Sequence, residues 1–182
     1  MINAYFGTYR GAIRLALSYA QVAAGRAWIK PAVAADVRRI VFVCHGNICR
    51  SAFADVAARR SGLNVMSFGL STSSDMPAHP SAAHVAAQLG YDVSAHRTTR
   101  VEDYVPLAGD LLLAMEVRQL RRLAGHARLA NVPRSLLGLW TNPKLPHLHD
   151  PYALDPAYME TCLRWIESAI PALVRDFPGA QL

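Results

Sequence analysis

The residues best suited to chemistry lie at positions 44–51, where the sequence reads CHGNICRS. Cys44 ends an apolar run, and Ser51 opens a segment with helical character. A loop that enters a helix leaves backbone N–H groups free to bind an anion, and the helix dipole adds partial positive charge. Arg50 can hold two phosphate oxygens at once, and the positive field favours the thiolate form of Cys44. A thiolate beneath a bound tetrahedral oxyanion is a nucleophile directed at phosphorus.

The residues between Cys44 and Arg50 suit such a loop. Gly46 permits tight backbone curvature, and Asn47 tolerates left-handed backbone angles. Taken singly, each of these residues is explained as well by a structural role, such as a buried cysteine at a strand end. The complete C-x5-R spacing between an apolar strand and a helix is more specific, and it favours a phosphate-binding loop with a nucleophile.

A second candidate lies much further along the chain, in HLHDPYALDP at residues 147–156. Phosphoryl transfer from a poor leaving group needs an acid that protonates the departing oxygen. Asp150 supplies a carboxyl group on a predicted loop, and Pro151 stiffens that loop. Asp-Pro is also a common turn dipeptide. Asp150 is therefore a candidate proton donor only in combination with the cysteine loop.

The elements that must position these residues alternate between strands and helices. The sequence predicts strands at residues 40–44, 64–70 and 109–115, a candidate fourth strand at 135–139, and helices at 51–61, 81–90, 116–125 and 155–176. Short apolar strands that alternate with helices are typical of a parallel sheet covered on both faces. We therefore predict an α/β fold in which the cysteine loop follows the first strand.

Residues 1–35 are predicted to form an amphipathic helical extension to a catalytic domain at residues 36–182. A stripe with helical spacing runs through residues 2–28, and KPAV at residues 30–33 ends the predicted helix. The stripe consists of Ile2, Phe6, Tyr9, Ile13, Leu17, Ala20, Ala24 and Trp28, whereas Leu15 and Val22 lie off it. Packing on the catalytic domain, self-association, contact with an anionic membrane surface and a targeting role are all open for this segment.

The distribution of charge argues against nucleic acid as a partner. The formal net charge is +6, but residues 1–35 hold four basic residues and no acid, so the rest of the chain has only a small basic excess. Three cysteines do not indicate a disulfide framework, and no uncharged apolar run is long enough for a membrane helix. A cytoplasmic location is expected, with peripheral contact to a membrane left open.

Three features together resemble the low-molecular-weight protein tyrosine phosphatases: VCHGNICRS after the first strand, LLLAM before a helix, and DPY further on. The resemblance covers residues 38–176. It implies a four-stranded parallel sheet and the hydrolysis of phosphotyrosine in proteins through a phosphocysteine intermediate, with neither a cofactor nor a metal. The implied partner is a phosphotyrosine-containing protein, and a tyrosine kinase is one candidate.

The resemblance also implies roles for individual residues. Cys44 would attack phosphorus, Arg50 would bind the phosphate and the transition state, and Asp150 would protonate the leaving phenol and then assist water. Ser51 would hydrogen-bond the thiolate, and Asn47 would hold the loop. The other members of the phosphate-binding loop are His45, Gly46, Ile48 and Cys49, and the implied pocket lining is His45, Ile48 and Tyr152.

Two other activities occur on the same scaffold. Arsenate reductases need further redox cysteines on a later loop, where this chain has none, and Cys162 fits an apolar core better. Protein-arginine phosphatases carry threonine where this chain has Ile48, whose side chain suits an aromatic ring better than a guanidinium. Tyrosine phosphatase is therefore preferred and arginine phosphatase comes second. A non-catalytic phosphate-binding module is disfavoured by the intact Cys44, Arg50 and Asp150.

Some positions depart from the family pattern. The loop at residues 71–80 has no Trp or Tyr, Tyr152 is the one aromatic directly after Asp-Pro, and His45 stands where an apolar residue is frequent. The walls around a substrate ring are therefore expected to be thinner and more polar than usual.

Cys49 and two histidines have further possible roles near these residues. Cys49 resembles the family's second loop cysteine, which captures an oxidised nucleophile as a reversible disulfide, and it fits equally well as a small filler. The sequence HLHD at residues 147–150 is weak as a metal motif, so no metal is expected. His147 or His149 is instead a candidate to tune Asp150.

Overall fold

The computed structural model describes residues 2–25 and 34–182. Its four strands are β1 (Arg39–Cys44), β2 (Val65–Gly69), β3 (Asp110–Ala114) and β4 (Arg134–Leu136). They pair in parallel in the order β2-β1-β3-β4. The predicted four-stranded parallel sheet is confirmed, and β1 lies inside it with a partner on each side.

Helices cover both faces of this sheet. They are α1 (Ile2–Phe6), α2 (Tyr9–Ala23), α3 (Arg50–Arg60), α4 (Pro80–Gln88), α5 (Val117–Ala124) and α6 (Pro156–Asp176). Side chains alternate along a strand, so Ile40 and Phe42 of β1 join one buried cluster while Val41 and Val43 join the other. The first cluster is closed by α3, α4 and α6, and the second by α5.

The fourth strand is shorter than the sequence predicts. It ends at Leu136, and Leu137–Leu139 form a 3-10 turn. Gly138 explains the departure, because its carbonyl accepts a hydrogen bond from the Leu145 N–H at 2.7 Å and a Cβ atom there would lie 1.7 Å from the Leu145 carbonyl oxygen. The chain leaves the sheet at this close contact and runs toward the loop that carries Asp150.

The N-terminal segment is helical, as predicted, but it forms two helices where the sequence predicted a single helix over residues 2–28. Gly7 has φ +73° between α1 and α2, and the Thr8 side chain accepts a hydrogen bond from the Gly11 N–H as the N-cap of α2. Gly25 has φ +74° just after α2, a conformation that ends a helix. The predicted end at residues 30–33, like Trp28, lies outside the described residues.

One face of α2 packs on the rest of the protein. Gly11 and Ser18 are buried, and the half-buried Leu15 and Val22 pack against the two core clusters. These packing positions lie off the predicted apolar stripe, whose members Tyr9, Ile13 and Leu17 are more than half exposed. The division into an extension at residues 1–35 and a domain at 36–182 stays a prediction. None of the helices in the described residues is long and apolar enough to cross a membrane.

Candidate active site

The carboxyl ends of neighbouring parallel strands bring the site together. Cys44, the last residue of β1, is in register with Gly69 at the end of β2, and Val43 is in register with Ala114 at the end of β3. Ligands of open parallel sheets bind at this edge. The loop of residues 45–49 runs from here to the first turn of α3, as the sequence predicts.

The thiol of Cys44 lies inside this loop and faces hydrogen-bond donors. The Asn47 backbone N–H donates to Cys44 Sγ at 3.2 Å, and the hydroxyl of Ser51 lies 3.0 Å from the same sulfur. Both groups can stabilise negative charge on sulfur. The predicted proximity of Ser51 to the nucleophile candidate is present in the structure.

Asn47 fastens the loop to its surroundings. Its φ of 55° is left-handed, as predicted, and the residue is fully buried. The side-chain Nδ2 donates to Ser51 Oγ at 2.9 Å and to Ser67 Oγ at 3.0 Å, and Oδ1 accepts from the Thr99 N–H at 2.9 Å. In addition, His96 Nε2 lies 2.7 Å from the Asn47 carbonyl oxygen. Three elements outside the loop therefore fix its shape.

Arg50 is buried, and its guanidinium joins three parts of the chain. Nη1 donates to Glu116 Oε1 and to the Leu148 carbonyl oxygen, each at 2.8 Å. Nη2 forms an ion pair with Asp150 Oδ2 at 2.6 Å. The buried Nε has no hydrogen-bond partner among the described residues, which leaves it as a donor for an oxyanion.

The charged groups of this buried network stabilise one another's charges. Burial alone would lower the pKa of Arg50, but attraction to Asp150 and Glu116 outweighs it and raises the pKa. Burial would likewise raise the pKa of Glu116, yet Arg50 and Arg118 lower it to about 2. Both groups are therefore charged at neutral pH, and the arginine is held as a permanent cation beside Cys44.

Cys44, Arg50 and Asp150 line a single cavity of about 220 Å³. The other lining residues are His45, Gly46, Ile48, Cys49, Ser71, Thr72 and Tyr152. Ser71 and Thr72 form a polar wall, in agreement with the expected lack of aromatic residues there. The half-exposed Tyr152 supplies an aromatic ring, and His79 meets that ring edge-on with 5.2 Å between centroids.

A family comparison decides what this arrangement belongs to. The sequence profile of the family described as "Low molecular weight phosphotyrosine protein phosphatase" matches residues 39–181. This chain belongs to that family. The expectation of a cysteine-dependent protein-tyrosine phosphatase is thereby confirmed at the level of the family.

Individual relatives of this phosphatase agree with the assignment. The chain is 34% identical over 140 residues to the probable low molecular weight protein-tyrosine-phosphatase EpsP of Ralstonia solanacearum, covering 76% of this chain and 94% of the relative. The tyrosine phosphatase Wzb from Escherichia coli K30, solved with sulphate, superposes with a TM-score of 0.65 at 26% identity, covering 76% of this chain and 97% of that one. The YwlE arginine phosphatase from Geobacillus stearothermophilus superposes with a TM-score of 0.64 at 22% identity over 76% and 91% of the two chains, which shows a shared fold alone.

Glu116 is the main site residue of the phosphatase that the sequence analysis missed. It lies two residues after the end of β3, whose carboxyl end lies beside that of β1. A carboxylate at the end of the neighbouring strand was the available signal, because its side chain reaches the arginine that follows the cysteine loop. Ser67, His96 and Thr99 were also missed, and their polar side chains or amides carried no such positional signal.

The two remaining cysteines of this phosphatase lie in the same buried cluster as Cys44. Cys49 is the N-cap residue of α3, and burial followed by the charge of Cys44 raises its pKa. Cys162 of α6 is fully buried, as predicted, and burial raises its pKa to about 12. Both side chains are therefore protonated thiols at neutral pH.

Proposed function

We propose that this phosphatase hydrolyses phosphotyrosine in proteins through a phosphocysteine intermediate. The observation that carries the proposal is the shared cavity, in which a cysteine flanked by two donors lies with a buried arginine and a carboxyl group. A nucleophile, an oxyanion-binding cation and a proton donor are the three groups that this chemistry requires.

In the first step Cys44 attacks phosphorus, and the bond between phosphorus and the phenolic oxygen breaks. Asp150 gives its proton to that oxygen, so tyrosine leaves neutral and a phosphocysteine remains. The loop amides and Arg50 Nε hold the equatorial oxygens as negative charge shifts from sulfur to the leaving oxygen.

In the second step water attacks phosphorus, and the bond between sulfur and phosphorus breaks. Asp150, now a carboxylate, accepts a proton from that water, and Cys44 departs as a thiolate. Ser51 and the Asn47 N–H stabilise the thiolate, which makes it a better leaving group. Inorganic phosphate is the product, and the enzyme returns to its initial protonation state.

The cavity favours an aromatic substrate. Ile48 and Tyr152 provide apolar surface for a phenyl ring, and Asp150 lines the same cavity. Phosphoarginine is the second candidate, because the arginine phosphatases share this fold and the open polar wall would admit a guanidinium.

The nucleophile is tested with Cys44→Ser, which should abolish turnover of p-nitrophenyl phosphate while inorganic phosphate still binds. Rapid acid quenching of the wild type on ³²P-labelled phosphotyrosine peptide should trap label in the peptide that contains Cys44. Substantial turnover by the serine variant would refute the nucleophile. Matched phosphotyrosine, phosphoarginine and phosphoserine peptides then rank the substrates by kcat/KM, and a preference for phosphoarginine would replace tyrosine as the substrate class.

We further propose that the exposed side of α2 contacts an anionic membrane surface. Tyr9, Ile13 and Leu17 are exposed at four-residue spacing, and Arg10 and Arg14 lie beside them. Arg14 and Leu17 also border a cleft lined by two arginines of α5, Arg118 and Arg121. Exposed apolar side chains rimmed by arginines complement an anionic bilayer.

A cytoplasmic location also stays a prediction.

Vesicle sedimentation tests this contact. The wild type should bind vesicles containing phosphatidylglycerol more strongly than pure phosphatidylcholine, and the double variant Ile13→Ser with Leu17→Ser should lose that binding. The matched control is Val105→Ser with Leu107→Ser, which removes two equally exposed apolar side chains elsewhere. Concentration-dependent dimerisation without vesicle binding would instead assign this face to a second copy of the chain.

A further inference from the structure

We propose that residues 7–11, which connect α1 to α2 and form the first turn of α2, position the catalytic carboxyl group by holding His149, the residue before Asp150. The proposal rests on the assignment of Asp150 as the general acid. It gives a catalytic purpose to a segment that the family profile, which begins at residue 39, does not include. The positioning residue at its centre is Thr8.

The backbone of His149 is held from the side of α6. Tyr158 donates its hydroxyl to the His149 carbonyl oxygen at 3.2 Å, and the Cys162 thiol lies 3.8 Å from the same oxygen. Gly7 packs directly on the Tyr158 ring, since a Cβ atom at residue 7 would lie 2.7 Å from that ring. Glycine at this position lets the extension close over the tyrosine that anchors the acid-bearing loop.

The side chain of His149 is held from the side of α2. Thr8 Oγ1 lies 3.3 Å from His149 Nε2, and His147 Nε2 lies 3.4 Å from His149 Nδ1. Gly11 presses on the edge of the same ring, because a Cβ atom there would lie 3.0 Å from His149 Cδ2. Both nitrogens of the imidazole and one edge of its ring are therefore in contact with neighbouring groups.

One arrangement of protons satisfies all of these contacts. Burial lowers the pKa of His147 to about 4 and also lowers the pKa of His149, so both rings are neutral at neutral pH. Thr8 then donates to His149 Nε2, and His149 Nδ1–H donates to His147 Nε2. This leaves His147 Nδ1–H facing Glu116 Oε2 at 3.9 Å, and Glu116 holds Arg50. A polar chain thus links the N-terminal segment to the phosphate-binding arginine.

The same contacts restrict where the carboxyl group of Asp150 can lie. The carbonyl of Leu148 is fixed by Arg50, and that of His149 by Tyr158, so the two peptide units before Asp150 are both anchored. A displacement of about 1 Å in a reacting group can cost up to ~10²-fold in rate. Loss of the Thr8 contact should therefore weaken proton donation while leaving nucleophilic attack intact.

The test compares phenyl phosphate with p-nitrophenyl phosphate. The parameter measured is kcat/KM, because it reports the steps up to and including departure of the phenol. Thr8→Val should lower the value for phenyl phosphate roughly 10-fold and that for p-nitrophenyl phosphate less than about twofold, since a good leaving group departs without a proton. Thr8→Ser retains the hydroxyl and should behave like the wild type. Thr8→Gly removes the hydroxyl but places glycine at the N-cap, where it is well tolerated. It should therefore show the same selective loss as Thr8→Val.

The double variant with Asp150→Asn separates the possible failures. If Thr8 acts through Asp150, Thr8→Val should cause no further loss in the Asp150→Asn background. Equal losses on both substrates, or a full further loss in that background, would overturn the positioning role alone. If Asp150→Asn itself slowed both substrates equally, the acid assignment would fail, and the positioning proposal would fall with it.

Discussion

Arg50 and Asp150 form an ion pair with 2.6 Å between Nη2 and Oδ2, and both side chains line the cavity that contains Cys44. The proposed phosphate-binding cation and the proposed acid are thus direct partners. An oxyanion that binds Nη2 must compete with the carboxylate for this donor. Substrate binding and placement of the acid are therefore coupled through one guanidinium.

The first prediction follows from that competition. Asp150→Asn should bind inorganic phosphate roughly 10-fold more tightly than the wild type, because a negative charge next to the anion is removed, while hydrolysis of phenyl phosphate falls. Competitive inhibition constants at neutral pH measure the effect. Asp155→Asn is the control, since Asp155 caps α6 and asparagine caps equally well. Unchanged phosphate affinity in Asp150→Asn would mean that the ion pair does not hinder anion binding.

The second prediction concerns the buried partner of Arg50. Glu116→Gln should lower the free energy of unfolding by about 3 kcal/mol, because it leaves a buried guanidinium short of compensating charge. Urea denaturation measures this loss. Glu160→Gln, which breaks an exposed pair with Arg164, should cost less than about 1 kcal/mol. Similar losses in the two variants would show that Glu116 does not stabilise the buried cation.

The third prediction is a pH dependence of stability. His147 titrates near pH 4 in the folded protein and near 6.5 when unfolded, so the unfolded chain takes up the proton more readily. The contribution is fully present above pH 6.5 and is lost as the pH falls toward 4, at a cost of roughly 3 kcal/mol. The lowered pKa of His149 acts in the same direction.

Urea denaturation at pH 7 and at pH 4.5 measures this loss. His147→Gln should flatten the decline between the two pH values, whereas His84→Gln on an exposed position of α4 should leave it unchanged. A decline that is as steep in His147→Gln as in the wild type would assign the effect to other groups.

The sequence was sufficient to predict those features that depend on residues close together in the chain. The cysteine loop, its left-handed Asn47 and the strands on either side follow from local spacing and backbone preference. Long-range contacts had no such signature. Glu116 reaches Arg50 across 66 positions, and Thr8 reaches His149 across 141, so only the folded chain brings these pairs together.

The N-terminal segment shows why an apolar stripe alone was misleading. The stripe correctly indicated helix, but small and half-buried residues off the stripe make the contact with the body. The small residues Gly11 and Ser18 allow α2 to approach the rest of the protein closely. At Gly11 a larger side chain would collide with the ring of His149, so the packing face of α2 is made of small residues and not of the apolar stripe. Gly7 and Gly25 set the helix ends through their positive φ angles.

The fourth prediction concerns oxidation. Mild peroxide should convert Cys44 to a sulfenic acid, Cys49 in the same loop should capture it as a disulfide, and dithiothreitol should restore activity. Cys49→Ala should leave the untreated enzyme active but make its inactivation harder to reverse. Cys162→Ala is the control outside the loop and should leave the reversibility of the inactivation unchanged. Peptide mass mapping identifies the bridge, and a link between Cys44 and Cys162 would contradict the core role of Cys162.

The cover that α2 places over His147 and His149 has an evolutionary consequence. The enforced neutrality of these two imidazoles and their contact with Thr8 depend on that cover, because without it water would reach both rings and the Thr8 hydroxyl would be missing. The helix and the histidines should therefore have been inherited together. Family members that lack a helix at this place are expected to carry other residues at both positions, and the presence of the pair should predict the presence of the helix.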